Sequence, residues 1–284
     1  MSNEFSNAIR QEVEERYPDV EFPYARREPI WYGRKKHHMV GEKIGIVVNY
    51  KDEDYMSYLA SPNYKIVQYQ EIIWRTEKAM ERLEEFGKPT PLIEIIQEGR
   101  KFNYELKFKD CEPVKIRDGH EVHPNIMIKS SHDGQWEYQI NSGAIALVCT
   151  NGLVVGESAY TEKRKHLTGL NIEAIADTME KSMEAFSEET GIWKQWAERQ
   201  LTAPEWGEVQ ENLPFGKKQL PAVLSTRLDG VGYSLDEYLK THDGPNLWEI
   251  LMASTQYLRD VDSPLVRINK TNQVTSVLHN ANLN

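Results

Sequence analysis

Apolar residues recur along this chain with two different periods. Spacing by four opens it: Phe5, Ile9, Val13 and Tyr17 in "FSNAIRQEVEERY" share one face of a short amphipathic helix. The stretch "EFPYARREPIWYGRKKHHM" carries Pro, Gly and clustered charge and reads as an extended segment or loop. Two short β-branched runs, "KIGIVVNY" and "YKIVQY", are each expected to be strands. Helical spacing returns in "QEIIWRTEKAMERLEEFG", where Ile72, Ile73, Ala79, Met80, Leu83 and Phe86 align and Gly87 marks the stop.

A strand-rich block follows. "FNYELKF" alternates, with Phe102, Tyr104, Leu106 and Phe108 on one side, and "PNIMIKS", "QWEYQI" and "GAIALVCT" continue it. "HDG" (132–134) predicts a tight hairpin, because Asp-Gly accepts the positive φ such turns need. "TNG" (150–152) predicts a second turn. A long helix is expected from an Asn171 N-cap, with Ile172, Ile175, Ala176, Met179, Met183 and Phe186 in one stripe. "GIWKQWAERQL" continues the helical pattern and ends before Pro204. Ser234 and Glu237 form a capping box, and "NLWEILMASTQYLRDV" is apolar enough to dock in a core. The tail "HNANLN" is expected to fray.

This order predicts an α+β fold: an antiparallel β-meander, then a long helix, then a mostly helical C-terminal part. Pro214, Gly216, Pro221, Gly230 and Gly232 make 213–232 loop-rich. The expected division is therefore an α+β core domain over 1–212 and a helical subdomain over 213–284.

Composition narrows the function. The net charge is −10, which argues against wholesale affinity for nucleic acid. The charge is uneven, however. Arg26 to Lys43 holds six basic and two acidic residues, whereas the chain after Gly169 holds ten basic and seventeen acidic. No apolar run approaches the roughly 18 residues of a membrane span, and the first residues are polar and acidic rather than signal-like. A cytoplasmic protein with no membrane partner is expected. Two cysteines, Cys111 and Cys149, form no disulfide framework or zinc pattern.

Each chemical candidate has a plainer alternative. Cys149 with His132 or His166 could pair as nucleophile and base, but Cys149 ends the apolar run "AIALV", where cysteine behaves as a small hydrophobe. His120, His123, His132, Cys149 and His166 could converge on a metal, yet "HEVH" on a strand would not place both histidines on one face. Neither a phosphate-binding glycine loop nor a nucleophile elbow is present. The expectation is a non-enzyme without metal or cofactor.

The best physical case is single-stranded nucleic acid. "YARREPIWYGRKKHH" interleaves Tyr24, Trp31 and Tyr32 with Arg26, Arg27, Arg34, Lys35 and Lys36. Bases stack on aromatics and phosphates need cations, so this mixture suits a strand-binding groove. Lys163, Arg164 and Lys165 add a second basic patch before the long helix. Ordinary surface charge around a structural Trp is the plainer reading.

Six motifs occur in a fixed order: "YKIVQYQEI" (64–72), "IIQEGRKFNYELKF" (95–108), "SSHDGQWEYQI" (130–140), "VCTNGLV" (148–154), "KHLTG" (165–169) and "LWEILMASTQYL" (247–258). This set resembles the phage/plasmid-like protein family over about residues 30 to 260. The resemblance implies a mobile-element origin and supplies no catalytic residues. The β-β-β-α order over 101–190 is similar to the core of Rad52-like annealing proteins, which assemble into rings or filaments. Two functions follow as expectations. One is an oligomeric protein that binds, and anneals, single-stranded DNA in phage recombination or replication. The other is a phage inhibitor of a bacterial defence protein, its acidic C-terminal part docking on a basic partner. A metal-dependent enzyme is a third reading.

Overall fold

The computed structural model describes residues 3–282, apart from 33–37, 147–151, 154–160, 165–171, 229–232 and 243. The chain is α+β, with antiparallel sheets and several helices. Helix α1 (Asn3–Arg16) leads into a three-stranded sheet of order β1-β2-β3: Tyr24–Tyr32, His38–Tyr50 and Glu53–Ala60. Lys51 and Asp52, both at positive φ, close β2 onto β3. Two consecutive positive φ values give a turn whose twist matches the strands it joins. Neither β3 nor the role of 24–32 as a paired strand stood out in the sequence pattern.

The expected strand "YKIVQY" is not one. Residues 61–68 run without regular pairing, and Tyr69 already opens helix α2 (Tyr69–Met80). Its apolar residues are nevertheless used, because Tyr64 and Val67 are buried. The segment fills a core without needing a strand's backbone ladder. Beyond α2 the helix tightens into a 3-10 turn (Glu81–Phe86), and Gly87 at φ 75° ends it as expected.

The central sheet has seven strands. Its main path is β10-β8-β7-β5-β4, with β6 on β7 and β9 on β8. The ranges are β4 Thr90–Ile96, β5 Lys101–Lys107, β6 Val114–Arg117, β7 His120–Ser131, β8 Tyr138–Ala146, β9 Gly152–Leu153 and β10 Thr161–Arg164. Register aligns Ile93, Tyr104, Ile128 and Ile140 across four strands. That row belongs to a core shared with α1, α2 and the first half of α3 (Ile172–Glu198). The expected tight hairpin at 132–134 is instead a six-residue connection between β7 and β8. Ser131 and Asp133 side chains bond the backbone of residues 135 and 136, and this replaces strand pairing there. The "TNG" turn and the Asn171 cap lie outside the described residues, except Gly152.

The helices α4 (Ala203–Asn212), α5 (Leu220–Leu224), α6 (Leu235–Leu239), α7 (Leu247–Arg259) and α8 (Pro264–Asn282) complete the chain. Pro204 does not merely end a helix; with the Thr202–Glu205 capping box it begins α4. The expected box at Ser234 and Glu237 is present. Residues 279–282 of the tail are helical rather than frayed, and the His279 ring pairs with Glu189 at 2.7 Å. Trp193, Trp196 and Trp248 centre a second core, to which β6 and β7 add Ile116 and Val122. Helix α3 thus serves both cores, Met179 and Met183 in one and Phe186 to Trp196 in the other. Among the described residues no helix is long and apolar enough to cross a membrane.

Candidate nucleic-acid interface

The first basic stretch lies on the β1–β2 hairpin. Alternation sends Ala25, with Ile46 and Val48 of β2 and Ala60 of β3, into a small core under Tyr64. The opposite face holds Tyr24, Arg26 and Glu28, in register through β2 with Asp54, Met56 and Leu59 of β3. Exposure on this sheet is unusual for large apolar groups: Tyr24 is 42% exposed, Trp31 47%, Met56 59% and Leu59 53%. With Tyr58 at 39%, five such groups stand on one small sheet, an exposure that water alone does not favour.

The cations on β1 are not equivalent. Arg26 forks onto Asp54 through two bonds, 2.9 and 2.6 Å, and donates a third to Glu28 at 2.8 Å. The guanidinium, aided by Asn49, lowers the Asp54 carboxyl to about 2, so the pair stays ionised. Arg26 therefore has its charge answered within the sheet. Arg27 donates to the Tyr64 carbonyl. Trp31 stands near the hairpin end, where Tyr32 pairs with His38. The connecting residues, with Arg34, Lys35 and Lys36, lie outside the described part, as does Lys165.

Lys163 and Arg164 are on β10, in register with Gln139 and Tyr138. They belong to the edge of the central sheet, whereas Arg26, Arg27 and Trp31 belong to the small one. The described members of the two basic patches thus stand on different sheets.

Two of the candidate histidines, His120 and His132, have structural partners, whereas the buried His123 ring has no hydrogen-bond partner at Nδ1 among the described residues. His132 is buried and stacks on Tyr69 at 4.2 Å, and Tyr69 stacks on Phe102 at 4.6 Å. His120 accepts from the Trp248 indole at 3.0 Å through Nδ1, tying β7 to α7. Burial, with Arg117 nearby, lowers His120 to about 4, so the ring is neutral near pH 7. Among the described residues no group of three His, Cys, Asp or Glu side chains could hold a metal ion. Cys149 and His166 are outside the described residues, so the Cys–His pairing has no described geometry.

One polar arrangement was hidden in the strand alternation. Register lines up Glu94, Asn103, Lys129, Gln139 and Lys163 across five strands, opposite the apolar row. Asn103, Lys129, Lys101 and Glu105 are buried there. Asn103 donates to Glu94 at 2.8 Å, and Asn125 to Glu105 at 2.6 Å. Lys101 donates to Gln97 at 2.8 Å and Gln135 at 2.6 Å and pairs with Asp133 at 3.4 Å. The signal was the polar half of "KFNYELK", which alternation alone assigns to solvent.

The chain matches no curated protein and no solved structure. The model of one family, described as a domain of unknown function (DUF932), matches residues 59–281. That match spans α2, the whole central sheet and nearly all of the helical part, so this chain belongs to the DUF932 family.

Proposed function

We propose that this protein binds single-stranded DNA through the β1–β2 hairpin, as an accessory protein of a phage or plasmid. The observation that carries this reading is Trp31 and Tyr24 standing exposed on the strand that leads into Arg34, Lys35 and Lys36. Exposed rings offer bases a stacking surface, and the cations beside them offer phosphates a counter-charge. Arg26, held by Asp54 and Glu28, is assigned to shaping the sheet rather than to contacting phosphate. Annealing is the activity assigned to this binding, supported by the adjacent antiparallel strands β5, β7 and β8, which precede the long α3 with the short β6, β9 and β10 interposed. That order is similar to the Rad52-like core, and order alone is an analogy. Fluorescence anisotropy with a labelled single-stranded oligonucleotide tests the reading. Binding at low salt that weakens steeply as salt rises is the expected result. No binding at low salt sinks it.

A second reading is favoured by a different observation. Met56 and Leu59 offer apolar side chains, which suit a protein partner better than a phosphate backbone. On this reading the protein inhibits a bacterial defence protein. Pulldown from host lysate with the Met56→Glu, Leu59→Lys double variant as control tests it. Recovery of the same defence component by both proteins removes these residues from the contact.

A further inference from the structure

The turn from β6 to β7 sets Arg117 and His120 against the first turn of α7, where Trp248 and Glu249 stand. Gly119, at φ 76°, lets the chain reverse there. Glu249 is fully buried, and its Oε1 takes two donors, the Arg117 guanidinium at 2.9 Å and the Tyr233 hydroxyl at 3.0 Å. Its Oε2 is buried as well and meets no donor among the described residues. A carboxylate oxygen withdrawn from water needs a hydrogen bond in exchange.

His120 carries the complementary need. Its Nδ1 accepts the Trp248 indole N–H at 3.0 Å, and burial with Arg117 nearby lowers the ring to about 4, so it is neutral near pH 7. A neutral imidazole that accepts at Nδ1 carries its proton on Nε2. That Nε2 lies 3.4 Å from Arg117 Nη2, which also has only protons to give. Two donors thus stand side by side without a bond between them. The same guanidinium, through Nη1, holds the carboxylate whose other oxygen needs a donor.

These atoms select the group that completes them. It must accept from His120 Nε2 and Arg117 Nη2 and donate to Glu249 Oε2. An anion would meet the carboxylate, and a metal ion would meet two N–H groups. The group is therefore neutral. It is also small, since His120 is 1% exposed and Glu249 0%. Water has an oxygen for both donors and protons for the acceptor, and internal waters typically make about three such bonds.

We propose that one internal water molecule bridges His120 Nε2, Arg117 Nη2 and Glu249 Oε2 as a fixed part of the fold. It extends the network that ties the central sheet to α7 through Trp248 and Glu249. The site is separate from the β1–β2 hairpin, so it stands whether or not the chain binds DNA.

The test uses the full chain. Histidine-selective nitrogen NMR should find the His120 proton on Nε2. That proton should show a nuclear Overhauser effect at the water frequency, with the sign of a long-lived bound molecule. A high-resolution crystal structure should show one ordered water within about 3.2 Å of both His120 Nε2 and Glu249 Oε2. Tyr233→Phe should keep the water signal, because that hydroxyl serves Oε1. Glu249→Leu, checked for fold by circular dichroism, should lose it. If that variant does not fold, the parent's NMR signal and crystal map decide the matter. A proton on Nδ1, no water signal in the parent, or an unchanged signal in folded Glu249→Leu would overturn the proposal. So would direct contact between His120 Nε2 and Glu249 Oε2, or an ordered ion at that position.

Discussion

The side chain of Gln68 pairs with the backbone of Ala25 as a neighbouring strand would. Its amide donates to the Ala25 carbonyl at 2.6 Å and its oxygen accepts from the Ala25 N–H at 3.1 Å. Ala25 is buried at the outer edge of β1, so both backbone groups need partners there. One carboxamide closes an edge that a further strand would otherwise have to cover. Gln68→Ala should therefore destabilise the fold by about 1–3 kcal/mol, the cost of stranding buried polar groups. Gln68→Glu should also destabilise, because a carboxylate cannot donate to the carbonyl. Urea unfolding midpoints check both, and an unchanged midpoint in Gln68→Ala contradicts the clamp.

Gly134 joins the two sheets by close approach. It sits at φ 69°, and a Cβ there would stand 2.9 Å from the Tyr58 ring of β3. Gly134→Ala should cost about 1–2 kcal/mol from the left-handed backbone alone, and more from the ring. Tyr58→Ala in the same chain should recover the steric part and leave the backbone part. A double-mutant cycle by thermal unfolding reads the coupling, and strictly additive effects would exclude the contact.

Acid should weaken the junction of β7 and α7 through His120. Its ring titrates near 6.5 when unfolded and is lowered to about 4 in the fold by burial and by Arg117. Between these values the unfolded chain holds more protons, so stability rises with pH across that window. Equivalently, the His120 contribution is present above about pH 6.5 and is lost as pH falls towards 4. His120→Asn keeps an acceptor for the Trp248 indole and removes the titrating ring. Its stability should change less between pH 4 and 6.5 than the parent's, measured by urea unfolding at a series of pH values. Identical slopes would assign the acid response elsewhere.

The hairpin residues should separate by role in DNA binding. Trp31→Ala should weaken affinity for a single-stranded oligonucleotide by about 1–3 kcal/mol, the worth of a stacked base. Replacing Arg34, Lys35 and Lys36 together by Ala should weaken binding and flatten its salt dependence, by about 0.7 in log–log slope per lost phosphate contact. Arg26→Ala should change the salt slope little, because that guanidinium is held by Asp54 and Glu28. A loss for Arg26→Ala as large as for the loop residues would reverse the assignment. Anisotropy titrations at several salt concentrations make the comparison.

Local periodicity was enough for several elements. Ile9 and Val13 marked α1, and Ser234 with Glu237 marked the start of α6, because both signals act within one or two helical turns. Phe102, Tyr104 and Leu106 marked the apolar face of β5 for the same reason, since side chains alternate along any strand. The site was less legible. Arg26 and Arg27 look alike in "YARREP", yet only pairing through β2 brings Asp54 within reach of one of them.

The sequence by itself determined where side chains must be hidden, and it marked many helix starts and turns. Only the tertiary structure decided what meets the backbone and the charges. Tyr64 and Val67 had to be buried in either case, but whether 64–68 became a strand depended on a distant edge that Gln68 already served. Lys101, Asn103 and Glu105 show the same limit. Alternation set them on the polar face of β5, while partners on other strands and loops decided that this face would be buried. Polarity is a local property of a residue; its desolvation and its partners are set by segments far away in the chain.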